Sequence, residues 1–136
     1  MAEAAKNSNL KRALKDHLRE TQTHIMRLEE AFEHLGLTAS KKKCKAMVGL
    51  VKEGEEAIKQ EGKPELVDAC IIAAAQKVEH YEISAYGTLR TCAELLELPE
   101  LAIIFESTLA EEKAADAGLT EIMVGKLLSK VLAARN

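Results

Sequence analysis

The sequence predicts an all-α fold, an antiparallel helical bundle that forms a single domain over residues 1–136. Apolar residues recur at intervals of three and four along most of the chain, which is the spacing of one face of an α-helix. Aromatic residues make up only 3% of the sequence, and there are 7 Gly and 2 Pro, so strand and turn formers are scarce. Hydrophobic residues make up 47% of the 136 residues, which is enough for a core of ordinary size.

The first long helix is predicted to begin near Asn7, Ser8 or Asn9, all of which are good N-cap residues, and to end near Leu35. Gly36 then supplies the left-handed residue that commonly follows a helix. The apolar positions of this helix recur every three or four residues: Leu10, Leu14, Leu18, Ile25, Leu28, Phe32 and Leu35.

A shorter helix is predicted over about residues 41–60, with Ser40 as its cap. Gly49 and Gly54 lie in its interior, and each costs about 1 kcal/mol relative to Ala. We therefore expect this helix to be the least stable and to depend on tertiary contacts.

Two prolines mark the starts of the remaining helices. Pro64 suits a first helical position, followed by a helical pattern over about residues 65–96, and Pro99 does the same for a helix over about residues 100–134. The link at residues 97–99 is so short that these two helices are expected to be antiparallel neighbours.

Carboxylates interrupt apolar stripes on both of these long helices. The stripe of the helix that follows Pro64 consists of Ile72, Ala75, Glu79, Glu82, Tyr86, Leu89 and Ala93. The stripe of the last helix consists of Phe105, Thr108, Glu112, Asp116, Leu119 and Met123. On the first helix, His17, Glu20 and His24 share one face. Acids at mid-length within apolar stripes predict that carboxylates enter the core.

Buried carboxylates require a cationic partner, because an unpaired buried carboxylate costs several kcal/mol and neighbouring carboxylates repel one another. The only basic residue near the middle of these stripes is Lys113, which points off the Glu112 face. Metal ions fit best, since inward Glu and His side chains build di-iron and di-manganese sites in helical bundles. Carboxylate-rich ligation favours iron or manganese over zinc. The alternative is a bundle rotated so that these acids face solvent.

Several classes of function lack support in the sequence. The net charge of −3 gives no field that attracts nucleic acid. No signal peptide or membrane span is apparent, so we expect a cytoplasmic protein. Cys44, Cys70 and Cys92 are widely spaced and are expected to be buried free thiols. Gly-rich phosphate loops and Ser nucleophile elbows are lacking.

Three stretches resemble a known group of proteins: residues 17–21 (HLRET), 73–89 (AAAQKVEHYEISAYGTL) and 109–116 (LAEEKAAD). They are similar to the YciF-like and YciE-like bacterial stress proteins of the ferritin-like superfamily, and the resemblance covers nearly the whole chain. It implies a four-helix ferritin-like bundle, commonly a homodimer, that is induced under stress and has a role related to peroxide or iron.

The resemblance also implies metal ligands, by position in rubrerythrin-like members of the superfamily. Glu20, Glu79, Glu82 and Glu112 match the glutamates of that site, and Asp116 stands one turn on, where rubrerythrins have His. Residue 23 is Thr in place of the His of a Glu-x-x-His motif, so His17 or His24 would substitute. The implied ligands of a di-iron or di-manganese centre are His17, Glu20, Glu79, Glu82, Glu112 and Asp116.

The resemblance implies a further difference at the N-terminus. Family members begin with another long helix that contributes an acidic ligand, and this sequence begins about where that helix ends. A bundle that lacks most of its first helix exposes an apolar groove, so we expect a second copy to cover it in a homodimer or higher homo-oligomer. The alternative is an incomplete sequence whose metal site is one ligand short.

Two functions remain open from the sequence. The first is a carboxylate-bridged di-metal protein with redox chemistry. The second is a non-enzymatic helical stress protein, in which the buried acids form a polar layer that fixes helix register and the metal site is incomplete or empty.

Overall fold

The computed structural model describes residues 1–40 and 42–127, and in these ranges the secondary structure is helical, without strands. The chain forms α1 (Ser8–His34), α2 (Lys45–Ala57), α3 (Pro64–Leu95) and α4 (Pro99–Ile122), followed by a segment that is kinked at Gly125 (Met123–Leu127). The predicted all-α bundle is confirmed. None of the helices in the described ranges is long and apolar enough to cross a membrane.

The predicted start and end of α1 are confirmed. The Asn7 side chain accepts hydrogen bonds from the N–H groups of Asn9 and Leu10, as an N-cap does. At the other end, Leu35 is the C-cap and Gly36 has a left-handed φ of 63°.

Buried Asp68 of α3 holds the segment that precedes α1. Its carboxylate accepts hydrogen bonds from the N–H of Lys6 at 2.7 Å and of Asn7 at 2.8 Å. The side chain is 2% exposed, so these bonds satisfy a buried charge and fix where α1 begins.

The predicted start of α2 was wrong. The helix begins at Lys45 and not near residue 41, and its N-cap is Cys44 and not Ser40. The Cys44 Sγ atom accepts a hydrogen bond from the N–H of Met47 at 3.4 Å. A helix capped by Ser40 would place three consecutive lysines in its first turn, where the helix dipole disfavours positive charge. Lys41 itself lies outside the described residues.

The starts of α3 and α4 at Pro64 and Pro99 agree with the prediction. The two helices are antiparallel, because Gln76 contacts Asp116 while Arg90 contacts Glu106. The prediction of one regular last helix was wrong within the described part of the chain. The α-helix ends at Ile122, and Gly125 has a non-helical ψ of −113°. Residues 128–134 of the predicted helix lie outside the described residues.

Helix α4 packs against α1 as well as α3. Arg27 of α1 contacts Thr108, and Leu14 packs with Leu119 at the other end, so α1 and α4 are also antiparallel. Helix α2 lies against another side of α3, where Lys77 forms an ion pair with Glu53.

The core consists of two apolar clusters near opposite ends of the bundle. The first contains Ala5, Leu10, Val67, Ile71, Ile72, Ala75 and Leu119. The second contains Ala31, Tyr86, Ala93, Leu101, Phe105 and Leu109. Between the two clusters lie the middle turns of α1, α3 and α4. The sequence analysis predicted acids in the core at these turns.

Some predicted burial was wrong. Leu18 and Ile25 are 58% and 55% exposed, because α1 turns the face of His17 and His24 towards the interior. Leu89 is 39% exposed on α3. Cys44, Cys70 and Cys92 are free but exposed, since each lies off the inward stripe of its segment.

Candidate metal centre

Five titratable side chains meet between the two apolar clusters. Helix α1 supplies His17 and His24, α3 supplies Glu79 and Glu82, and α4 supplies Glu112. Glu112 is 0% exposed, His24 is 2% exposed and Glu79 is 4% exposed, whereas His17 and Glu82 are half-buried. The expected entry of acids into the core is therefore seen at the middle of α3 and α4, whereas α1 contributes histidines and its predicted acid, Glu20, is exposed.

Four of these residues present ligand atoms to one another. His17 Nε2 lies 3.1 Å from Glu79 Oε2 and 3.4 Å from Glu112 Oε2. One atom each from His17, Glu79, Glu82 and Glu112 lies within 4.8 Å of the others. A single cation placed among them would contact imidazole nitrogen and carboxylate oxygen, the donor types that iron and manganese accept.

Protons partly compensate the charge of this cluster. Close contact with the Glu79 carboxylate raises the pKa of His17 to about 9 against the opposing effect of burial. Burial, together with the carboxylates of Glu79 and Glu82, raises the pKa of Glu112 to about 9. Burial also raises the pKa of Glu82, and the charge of Glu79 adds to this effect. At neutral pH the cluster therefore carries protons that a cation would displace.

Four buried atoms of the cluster lack an aligned hydrogen bond within the described residues, although His24 Nδ1 and Glu79 Oε2 each lie within 3.1 Å of an ion-pair partner. They are His24 Nδ1, Glu79 Oε2, and both carboxylate oxygens of Glu112. Leaving a buried polar group unsatisfied costs about 1–3 kcal/mol, and more for a charged group. Four such atoms that converge on one place fit the coordination of a metal ion, whose bonds would satisfy them together.

His24 links the cluster to an ion pair at the protein surface. Its Nδ1 lies 3.0 Å from Glu112 Oε1, and its Nε2 lies 2.7 Å from Glu111 Oε2. Arg27 donates two hydrogen bonds to Glu111, which lowers the pKa of Glu111 to about 2. This arrangement fixes the imidazole with Nδ1 towards the cluster, as carboxylates do for metal-bound histidines.

Tyr86 lies between the group of histidines and glutamates and the rest of the second apolar cluster. Its ring centroid lies 6.1 Å from that of His24 in an edge-to-face arrangement. Burial, with the nearby carboxylates of Glu82 and Glu112, raises the pKa of Tyr86 to about 12. The phenol therefore stays protonated at neutral pH.

Two predicted ligands lie outside the cluster. Glu20 is exposed, and its carboxylate reaches only Nδ1 of His17, at 3.2 Å. Asp116 lies one turn after Glu112 and is partly buried, and its carboxylate contacts Gln76 at 3.0 Å and His80 at 3.2 Å instead of the cluster.

Sequence reasoning named His24 only as an alternative to His17, and it did not assign Glu111 and Arg27 to the predicted site. His24 stands two turns after His17, which puts it on the same helix face, so the spacing contained a usable signal. Arg27, and not Lys113, is the basic residue nearest to the site in the described part of the chain, and it pairs with Glu111 and not with the buried acids. That pairing joins residues 84 positions apart, and no local pattern indicates it.

Comparisons with known proteins agree with the fold and with the resemblance. The family model for a domain of unknown function, DUF892, matches residues 1–132. Protein YciF of Escherichia coli (strain K12) is 44% identical over 131 residues, which cover 96% of this chain and 79% of that protein.

Among the solved structures that are similar to this chain are two that share more than 40% of its sequence. The crystal structure of the E. coli stress protein YciF superposes with a TM-score of 0.90 at 44% identity, covering 95% of this chain and 81% of that one. The protein YcfI from Rhodopseudomonas palustris superposes with a TM-score of 0.83 at 42% identity, covering 88% of this chain and 76% of that one.

Proposed function

This chain belongs to the DUF892 family, and we propose that it holds a carboxylate-rich iron or manganese centre in the core of its helical bundle. The observation that carries the proposal is the set of buried atoms without hydrogen bonds on His24, Glu79 and Glu112. Water or protein partners would satisfy such atoms in an ordinary core. A metal ion satisfies all of them and removes the repulsion among the carboxylates.

We assign His17, Glu79, Glu82 and Glu112 as the ligands of a first metal position, because their ligand atoms lie within 4.8 Å of one another. The two oxygens of Glu112 face different histidines, Oε2 towards His17 and Oε1 towards His24. If two ions were bound, Glu112 would be placed to help hold both, and His24 would help hold the second. Glu20 and Asp116 would reach the centre only after side-chain rotation.

A bound iron or manganese pair supplies one-electron redox chemistry towards oxygen or peroxide. The residues of the chain contribute the surroundings for that chemistry. Glu79 and Glu112 hold the ions by charge, Glu111 orients His24, and the two apolar clusters limit the entry of bulk water.

The similarity to the E. coli stress protein YciF supports a role in the stress response, in the cytoplasm. We propose in addition that the chain forms a homodimer or a higher homo-oligomer. Leu18, Ile25 and Met26 are 55–60% exposed along α1, a surface that a second copy would cover. Light scattering at micromolar concentration is expected to give at least twice the mass of one chain, and a monomer would contradict this part.

A polar layer without metal is the second candidate function. It is favoured by the contact of His17 with Glu79, since a protonated imidazole offsets part of the carboxylate charge without a metal ion. In that case the chain would be a structural stress protein and not an enzyme.

Two variants separate the candidates. Glu79→Ala and Glu112→Ala are each purified beside the parent chain after growth with added iron and manganese, and metal is measured by elemental analysis. If the centre exists, both variants lose bound metal together, while Glu121→Ala, an exposed change on the same helix, keeps it. A parent chain without metal, or variants with unchanged metal content, would reject the metal centre.

A further inference from the structure

A cavity of about 200 Å³ lies beside the metal centre, between α1 and α4. Its apolar lining comes from small and aliphatic residues: Ala13, Leu14, Ala114, Ala115, Gly118 and Leu119. A side chain at Gly118 would meet nothing within 4 Å, so the cavity is open at this wall. The other lining residues are polar, and two of them, His17 and Glu79, belong to the proposed centre.

The polar and apolar parts of the lining lie at different levels of the bundle. Leu14 and Leu119 belong to the first apolar cluster or pack against it, whereas His17 and Glu79 lie one turn nearer the middle of α1 and α3. A molecule in the cavity would therefore have an apolar body at one level and a polar head at the other.

Glu79 determines what kind of head fits. Its Oε2 atom is buried and lies 3.1 Å from His17 Nε2, and a carboxylate oxygen can accept a second hydrogen bond from a bound molecule. Asp16 and Glu20 are also part of the lining, so three acids, with Glu79, outnumber the one imidazole of the lining, that of His17. A carboxylate head would be repelled there, whereas a neutral donor group would be bound.

The volume sets the size of the body. An apolar cavity of about 150 Å³ in another protein binds benzene, so about 200 Å³ accommodates a single ring or a branched chain of similar size. Larger ligands would have to displace Leu14 or Leu119, which pack in the core.

We infer that this cavity binds a small neutral molecule with a ring-sized apolar body and one hydroxyl or hydroperoxyl group, which donates a hydrogen bond to Glu79. The inference rests on the proposed function, because it names the class of small molecule that would bind next to the proposed metal centre. Binding of the head group next to Glu79 would bring its oxygen beside the metal ligands.

Titration with benzyl alcohol, followed by amide chemical shifts of the full chain, tests the inference. We expect saturable shifts at Ala115, Gly118 and His17, both in the protein as purified and after chelation of metal. Benzoate should bind the chelated protein with a Kd roughly tenfold higher or more, because it brings a negative charge to the same acids. Absence of saturation, or equal binding of benzoate, would overturn the inference.

Ala115→Leu fills the cavity and is expected to abolish the shifts, while Ala117→Leu, on the exposed side of the same helix, keeps them. If Ala115→Leu does not fold, Gly118→Ala narrows the same cavity with a smaller group and should weaken binding. Unchanged binding in these cavity variants would contradict the assignment. Since binding is measured after chelation, its failure is distinct from a failure to find metal.

Discussion

His24 Nδ1 lies 3.0 Å from Glu112 Oε1, and both atoms are buried without a hydrogen bond among the described residues. On its other side, His24 Nε2 contacts Glu111, which Arg27 holds in place. The imidazole is thus fixed with Nδ1 at ion-pair distance from the buried Glu112 carboxylate, without the alignment of a hydrogen bond. The predictions that follow depend on this relationship and on its neighbours in the cluster.

His24→Gln is expected to reduce metal affinity at least about tenfold, because the variant loses a ligand, and even the loss of a residue that only orients a ligand costs about 10–100-fold. The measurement is competition with a chelator of known affinity. His34→Gln serves as the matched control, since His34 is a largely exposed histidine on the same helix. Equal affinity of the His24 variant and the parent chain would show that His24 only packs in the core.

Glu112→Leu should make the metal-free protein more stable, by about 1 kcal/mol or more, while it abolishes metal binding. Glu112 is fully buried among other acids, so the carboxylate opposes folding when no cation is bound. Urea unfolding in the presence of a chelator measures the free energy of unfolding. A loss of stability would favour the polar layer, in which Glu112 stabilises the fold.

Metal affinity should increase with pH between about 6 and 9. His17 and Glu112 each have a pKa of about 9, and both must lose a proton before they bind a cation. The logarithm of the association constant should therefore rise by one to two units per pH unit below pH 9 and level off above it. Isothermal titration in buffers of different ionisation enthalpy counts the released protons, and a flat pH profile would contradict this prediction.

The pair of Arg27 and Glu111 should contribute to stability in acid. The pKa of Glu111 is lowered from 4.5 to about 2, so its contribution is fully present above pH 4.5 and is lost as the pH falls through 2. Glu111→Gln is expected to lower the thermal midpoint at pH 6 and to flatten its decrease below pH 4.5. Glu121→Gln is the control, and an unchanged profile in Glu111→Gln would show that the pair of Arg27 and Glu111 contributes nothing to stability.

Local sequence signals predicted the helices well where cap chemistry decides. Asn7, Pro64 and Pro99 each mark a helix start that the structure has. Ser40 is not the cap, because a helix that began there would place lysine charges at the positive end of the helix dipole. The preference of Ser for the N-cap position does not take these neighbouring charges into account.

The candidate site was predicted only in part, because local sequence patterns contain some of its contacts and not others. Periodicity identified Glu79 and Glu112, which lie on the central line of their apolar stripes. Glu20 and Asp116 each stand three or four residues from a residue of the cluster, so helix spacing alone does not separate them from the inward carboxylates. The contacts of His24 with Glu111 depend on the packing of α1 against α4, which no local pattern determines.

Metal content of the full chain, purified without chelator after growth with iron and manganese, tests the central claim most directly. The proposed centre predicts about two equivalents of iron or manganese per chain, lost together in the Glu112 variant. No bound metal after supplementation with both ions would contradict it and would leave the buried acids as a polar layer.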